Sequence, residues 1–291
     1  MLRSMTGFGR AETQVGDKTI SVDIKSLNGK QLDINLKMPP LLKPYEFDIR
    51  NLIQQTLQRG SVEVMVTVKQ NGTAKPVTIN TLLARQYYHT IASLAGELQL
   101  PQTDILNALL KLPEVVAPAA EELAEEEWEA VKQVFTTALQ KTDEHRQNEG
   151  GTLEQDLELR IRNILLLQEK VQAQEPARRE RIRSRLEASL QENTPKENLD
   201  QNRLEQELIY YVEKLDISEE QVRLSNHCRY FKEVLETPEF SKGKKLGFIL
   251  QEVGREINTT GSKANDAAIQ QWVVMMKDEL EKAKEQVLNV L

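Results

Sequence analysis

NRLEQELIYYVEKLDISEEQVRLSNHCRYFKEVL, Asn202 to Leu235, is the stretch on which the architecture turns. Leu204, Leu208, Val212, Leu215 and Val222 recur near helical period, which predicts one long helix. On it Glu205, Asp216, Glu220, Arg223 and His227 fall on one narrow stripe at about 100° per residue. Three carboxylates, a guanidinium and an imidazole so arranged suit a hard divalent ion or general acid/base work. The plainer alternative is a solvated face laced with i, i+4 salt bridges. A straight helix would set Glu205 and His227 about 33 Å apart. One ion cannot bridge both, so Glu205 would serve the far end of a groove or a neighbouring subunit. The remaining residues of the stripe need ligands from another helix or another subunit.

The next stretch supplies them. GKKLGFILQEVGREINTTGSKAND, Gly243 to Asp266, has a core-facing stripe of Leu246, Ile249, Leu250, Val253 and Ile257. Glu252, Glu256, Thr259 and Lys263 form a second stripe, and Gln251, Arg255, Asn258 and Ser262 a third. Glu252 and Glu256, one turn apart, are the best complement to Asp216, Glu220 and His227. Gly254 and Gly261 lower helix propensity and point to a bend or to close approach of a ligand or another backbone. The alternative is a helix whose polar groups are satisfied inside an oligomer.

These words resemble the bacterial YicC/YloC family of stress-related endoribonucleases. The resemblance rests on NRLEQEL (Asn202–Leu208), LDISEE (Leu215–Glu220), RLSNH (Arg223–His227) and LGFILQEVGREINTTGSKAND (Leu246–Asp266). SMTGFGRAE (Ser4–Glu12) and RGSVEV (Arg59–Val64) look like the same family's N-terminal domain. It implies RNA cleavage dependent on Mn2+ or Mg2+, carried out by a ring-like homohexamer. On that footing His227, Glu252, Glu256, Arg223 and Arg255 are the expected catalytic residues. Asp216, Glu220, His227, Glu252 and Glu256 are the expected metal ligands, with Glu205 and Gln251 as secondary candidates. A hard ion would activate water or stabilise the leaving oxygen, and Arg223, Arg255 and Lys263 would offset phosphate charge. Two positions depart from the family's usual words: Gly247 stands where Asp is common, and Gly254 where Asn is. If that Asp is a ligand in relatives, a weaker or altered metal dependence follows here.

The chain has 291 residues, enough for more than one core. Charged residues make up 29 % and aromatics 5 %, which suits long helices better than a β-sandwich. The single cysteine, Cys228, excludes an internal disulfide framework and fits a reducing cytoplasm. No apolar run approaches the roughly 20 residues of a membrane helix, and MLRSMTGFGR lacks the apolar core of a signal peptide. A cytoplasmic protein without membrane contact is expected. The net charge of −7 argues against broad nucleic-acid binding, though RNA phosphates need only a local basic surface.

The first eighty residues alternate like strands. Ile20, Val22 and Ile24 form one run, Leu32, Ile34 and Leu36 another, and Val62, Val64, Val66 and Val68 the clearest. Asn28-Gly29 reads as a hairpin turn between the first two. Residues 41–58 read as a helix closed by Gly60. An antiparallel sheet with helical cover is expected, and only helices from Asn80 onward. Asn80 caps the first of these, and Gly150-Gly151 breaks or bends a later one. Pro176 starts another, so that residues 151–192 form a helical hairpin, an arm. The expected class is α+β, with an N-terminal domain over 1–150, the arm over 151–199 and a C-terminal helical domain over 200–291.

The arm carries Arg178, Arg179, Arg181, Arg183 and Arg185, a belt of cations rather than a face. Arg179 and Arg183 on the belt, with Lys244, Lys245, Lys263 and Asn258 from the later stretch, are the expected RNA contacts. Solvated charges paired to Glu180 and Glu187 are the alternative. The sequence shows no aromatic platform of the kind that stacks bases. The rival function is a noncatalytic oligomeric adaptor that holds RNA or a degradation enzyme, its polar stripes serving as inter-subunit salt bridges.

Overall fold

The computed structural model describes residues 2–70, 77–99, 104–118, 123–193, 201–239 and 241–291. Its N-terminal part is a four-stranded sheet of β1 (Gly7–Val15), β2 (Lys18–Leu27), β3 (Leu32–Lys37) and β4 (Gly60–Gln70) in the order β1-β2-β4-β3. β1 and β2 are antiparallel, as are β2 and β4, but β3 runs parallel to β4. The sheet is therefore mixed, not antiparallel. Between β3 and β4 the chain crosses over through a 3-10 turn (Pro40–Tyr45) and α1 (Glu46–Thr56), which forces the parallel pairing. Asn28-Gly29 is consequently no hairpin turn, since β4 lies between β2 and β3. Gly29 is small because a Cβ there would stand 2.8 Å from the Ser61 nitrogen.

A short hairpin, β5 (Val77–Ile79) with β6 (Val116–Pro118), brackets α2 (Thr81–Glu97) and α3 (Ile105–Leu110). β6 corrects the expectation of helices alone after Asn80. Asn80 does cap α2, its side chain accepting from the Leu83 amide at 3.1 Å.

α4 (Glu125–Asn193) runs unbroken for 69 residues, about 100 Å at 1.5 Å per residue. Residues 151–192 thus form no hairpin, and Pro176 lies inside the helix. Gly150 has another role: a Cβ there would stand 2.2 Å from the Leu2 carbonyl oxygen, so the glycine admits the N-terminal segment against the helix. The first half of α4 covers the sheet, where Val131, Phe135 and Leu139 meet Ile20, Val22, Val62 and Val64. Its second half enters another core through Leu157, Ile161, Ile164 and Val171.

That second core is completed by α6 (Ser218–Glu236), α7 (Gly243–Ala264) and α8 (Ala267–Val287), with α5 (Gln201–Leu215) packed on α4. Leu224, Phe231, Leu250, Ile257, Val273 and Met276 are among its fully buried residues. The residues after α8 return to the N-terminus. Ser4 bridges to Val290, the Leu291 amide donates to the Arg3 carbonyl, and the Met5 amide to the Asn289 carbonyl. Leu291 O also accepts the Lys242 and Gly243 amides at the start of α7. Among the described residues, no helix is long and apolar enough to cross a membrane.

Candidate active site

The predicted single helix over Asn202–Leu235 is two helices. α5 ends at Leu215, and Asp216 turns the chain by accepting the Ser218 amide at 2.9 Å and its hydroxyl at 2.6 Å. An aspartate that bonds the backbone two residues on offers the chain a turn in place of a continuing helix. Burial opposes ionisation of Asp216, but these bonds and Arg179 outweigh it and hold its pKa below the ordinary value. Glu205 is therefore separated from the Glu220–His227 stripe. It lines a different hollow with Arg179, Arg183 and Val212.

α6 and α7 lie antiparallel and meet along a row of charged pairs. Lys263 Nζ donates to Glu220 Oε1 at 2.8 Å. Arg223 Nε stands 3.3 Å from Glu256 Oε2, its Nη2 is 3.7 Å from Glu220 Oε1, and its Nη1 is 2.8 Å from Glu219. The register that sets residue 223 against 256 places His227 opposite Glu252, one turn further along both helices. Glu220 is 2 % exposed and Glu256 is buried, while Arg223 and Glu252 reach solvent. His227 is half-buried.

Beneath this row lies an amide network that sequence reasoning missed. Gln168 Nε2 donates to the Gln221 carbonyl at 2.6 Å and to Ser225 Oγ at 2.9 Å. Gln221 Nε2 donates to Thr260 Oγ1 at 3.1 Å. The available signal was Gln168 itself, a glutamine following Leu165-Leu166-Leu167 and buried in the structure. Glu220 Oε2 and Gln221 Oε1 are buried without a hydrogen-bond partner among the described residues.

The third stripe of α7 is separate, as expected: Gln251, Arg255 and Asn258 are exposed and face away from α6. Arg255 holds Glu252, donating at 2.7 Å to one carboxylate oxygen and at 3.0 Å to the other. The basic belt is largely paired. Arg178 is 2 % exposed and ties helix ends together, donating to the carbonyls of Ala264, Lys263 and Leu215 and to Glu175. Arg179 meets Asp216 at 2.7 Å, and Arg183 meets Glu187 at 2.9 Å. Both are exposed, and exposed pairs of this kind exchange partners at little cost. Lys245 reaches Glu239 at 3.6 Å, and Lys244 lies over the Phe248 ring. Cys228, adjacent to His227, packs in the core, where burial pushes its thiol up to about 12.

Among the described residues, no three His, Cys, Asp or Glu side chains converge as a metal site requires. Asp216 is committed to Ser218 and Arg179, Glu220 to Lys263, and Glu256 to Arg223. Glu252, at the row's open end beside His227, is itself held by Arg255, and one chain does not assemble a complete ligand set.

Two family models match the chain: "Endoribonuclease YicC-like, N-terminal region" over residues 2–155, and "Endoribonuclease YicC-like, C-terminal" over 168–291. A Clostridioides difficile protein named "Probable endoribonuclease YicC" is 32 % identical over 296 residues, covering all of both chains. A Haemophilus influenzae protein of the same name is 31 % identical over 303 residues, again covering both in full. With both models matched in order and both relatives aligned end to end, the chain belongs to the YicC-like endoribonuclease family.

Proposed function

We propose that the chain is an endoribonuclease and that the α6–α7 groove is where it acts on RNA. The observation that carries this reading is the Glu220–Lys263, Arg223–Glu256 and His227/Glu252 series. It aligns cations and proton-transferring groups along one solvent-facing seam. The names of the two relatives support the activity.

In this reading Glu220 and Glu256 are positioning residues. They hold Lys263 and Arg223 where these offset the negative charge that develops on the phosphoryl oxygens. His227 and Glu252 exchange protons with the attacking and leaving oxygens, and Arg255 orients Glu252. A divalent ion, Mn2+ or Mg2+, would supply charge neutralisation and an activated water. His227 and Glu252 are the donors this chain offers, and the rest would have to come from RNA phosphate or a second copy. A homo-oligomer, a hexamer as the family resemblance implied, belongs to the same proposal, since a second copy could complete the seam. Exposed Ile209, Tyr210, Val274 and Met275 on α5 and α8 support it.

The adaptor reading draws on one observation, that most charges of the row are already paired within the chain. A single experiment separates the two. Purified His227→Ala and Glu252→Gln should each lose RNA cleavage while keeping the mass of the parent assembly in light scattering. Undiminished cleavage by both would move the site elsewhere, and absence of cleavage by the parent with intact RNA binding would favour the adaptor.

A further inference from the structure

The α6 and α7 stripes do not stop at His227 and Glu252. Three residues on from His227 stands Tyr230, on the α6 face that builds the groove; four before Glu252 and seven before Arg255 stands Phe248, at the solvent-facing edge of the α7 face. A cross-helix contact marks the place: Lys245 Nζ of α7 lies 5.8 Å from the centroid of the Tyr230 ring of α6. Lys244 Nζ lies 5.9 Å from the Phe248 centroid. Phe248 is 55 % exposed and Tyr230 44 %. A lone exposed aromatic needs no explanation. Two exposed rings at the end of a polar groove, each under a lysine, are a different arrangement. Glu239 is the acid that Lys245 reaches.

We propose that Tyr230 and Phe248 form a stacking subsite for an unpaired nucleotide of RNA, with Lys244 and Lys245 taking its phosphates. The subsite rests on the reading of the α6–α7 groove as the place of cleavage and names its substrate class: a single-stranded stretch flanking the cut. Two features select this occupant. The cations match a polyanion, and along α7 Phe248 stands one turn from Glu252 and Lys245, which lies over the Tyr230 ring, two turns, so one strand can run from the platform into the groove. Stacking tolerates any base because every base has a π-face, and a lysine over a ring adds cation–π attraction when the site is covered. A duplex keeps its bases paired and has nothing to offer the rings.

The test uses the full chain and a fluorescein-labelled single-stranded RNA oligonucleotide, followed by anisotropy, with its annealed duplex in parallel. Phe248→Ala should weaken single-strand binding by about fivefold to a hundredfold, the range for loss of one stacked base. It should raise KM while leaving kcat unchanged, because the ring contributes to binding and not to the chemical step. Phe248→Trp should restore binding. A series of oligonucleotides with one abasic residue moved along the strand should show a single sensitive position in the parent and none in Phe248→Ala.

Equal affinity of Phe248→Ala and a Tyr230→Ala/Phe248→Ala double variant with the parent would overturn the subsite and leave the cleavage reading standing. So would a change in assembly mass without loss of monomer affinity, which would show that a second copy covers the rings. Ring-dependent, abasic-sensitive binding by a parent that does not cleave would keep the subsite and remove the cleavage reading.

Discussion

Lys263 reaches across from α7 to Glu220 on α6 at 2.8 Å, and the two are buried unequally: the lysine side chain is 33 % exposed and the glutamate 2 %. Removing the lysine leaves the buried carboxylate with only the more distant Arg223 at 3.7 Å, whereas removing the carboxylate leaves an ammonium that can turn to water. Breaking a fully buried pair costs roughly 3–5 kcal/mol, and the accessible lysine brings the expected cost of Lys263→Met down to about 2 kcal/mol. Glu220→Gln should cost less, and the double variant less than the sum. Urea unfolding of the set checks this, and equal costs for the two single changes would count against the asymmetry.

The two adjacent glycines of α4 should respond oppositely to alanine. At Gly151 nothing lies within 4 Å of a new Cβ, so Gly151→Ala should gain up to about 1 kcal/mol from helix propensity. At Gly150 the same methyl would stand 2.2 Å from the Leu2 carbonyl oxygen and 2.8 Å from Arg3 Cα. Gly150→Ala should lower the unfolding midpoint despite its better propensity. A thermal melt that ranks the two the other way would mean that the N-terminal segment does not lie against α4.

Asp216 gives a pH signature. Its folded pKa lies below the ordinary 3.8, so its contribution to stability is fully present above that value. The contribution is lost as pH falls through the folded value. The stability difference between the parent and Asp216→Asn should therefore be constant near neutrality and vanish in acid. A difference that grows on acidification would reverse the sign and remove the Ser218 and Arg179 bonds as its cause.

The sequence carried the elements better than their connections. Alternation at Ile20–Ile24 and Val62–Val68 marked strands correctly, because a half-buried strand must alternate whatever its neighbour. It held no information on which strand pairs with which, so β4 inserted itself between β2 and β3 unseen. Gly150, Gly151 and Pro176 were read by their local preferences as breaks and starts. Packing on two cores overrides those preferences along α4, and the reason for Gly150 lies in Leu2, far away in the chain. At the groove, the stripes of α6 and α7 were legible because helical spacing fixes which side chains share a face. Glu205 was misplaced by one turn residue, Asp216, whose carboxylate ends one helix and opens the next. Gln168 and the pairing of Tyr230 with Lys245 needed two helices to be brought together, which no single periodicity reports.

The bridge between Ser4 and Val290 has a consequence for how the protein comes into being. The opening residues that seat against α4 have their partners at the far end of the sequence. At about 5–20 residues per second, the ribosome delivers Val290 on the order of half a minute after Ser4. During that interval the sheet can collapse on the first half of α4 and Ser4 can meet Arg146, while the Arg3 carbonyl and the Met5 amide await Leu291 and Asn289. Closure of this bridge is therefore a late contact of high sequence separation.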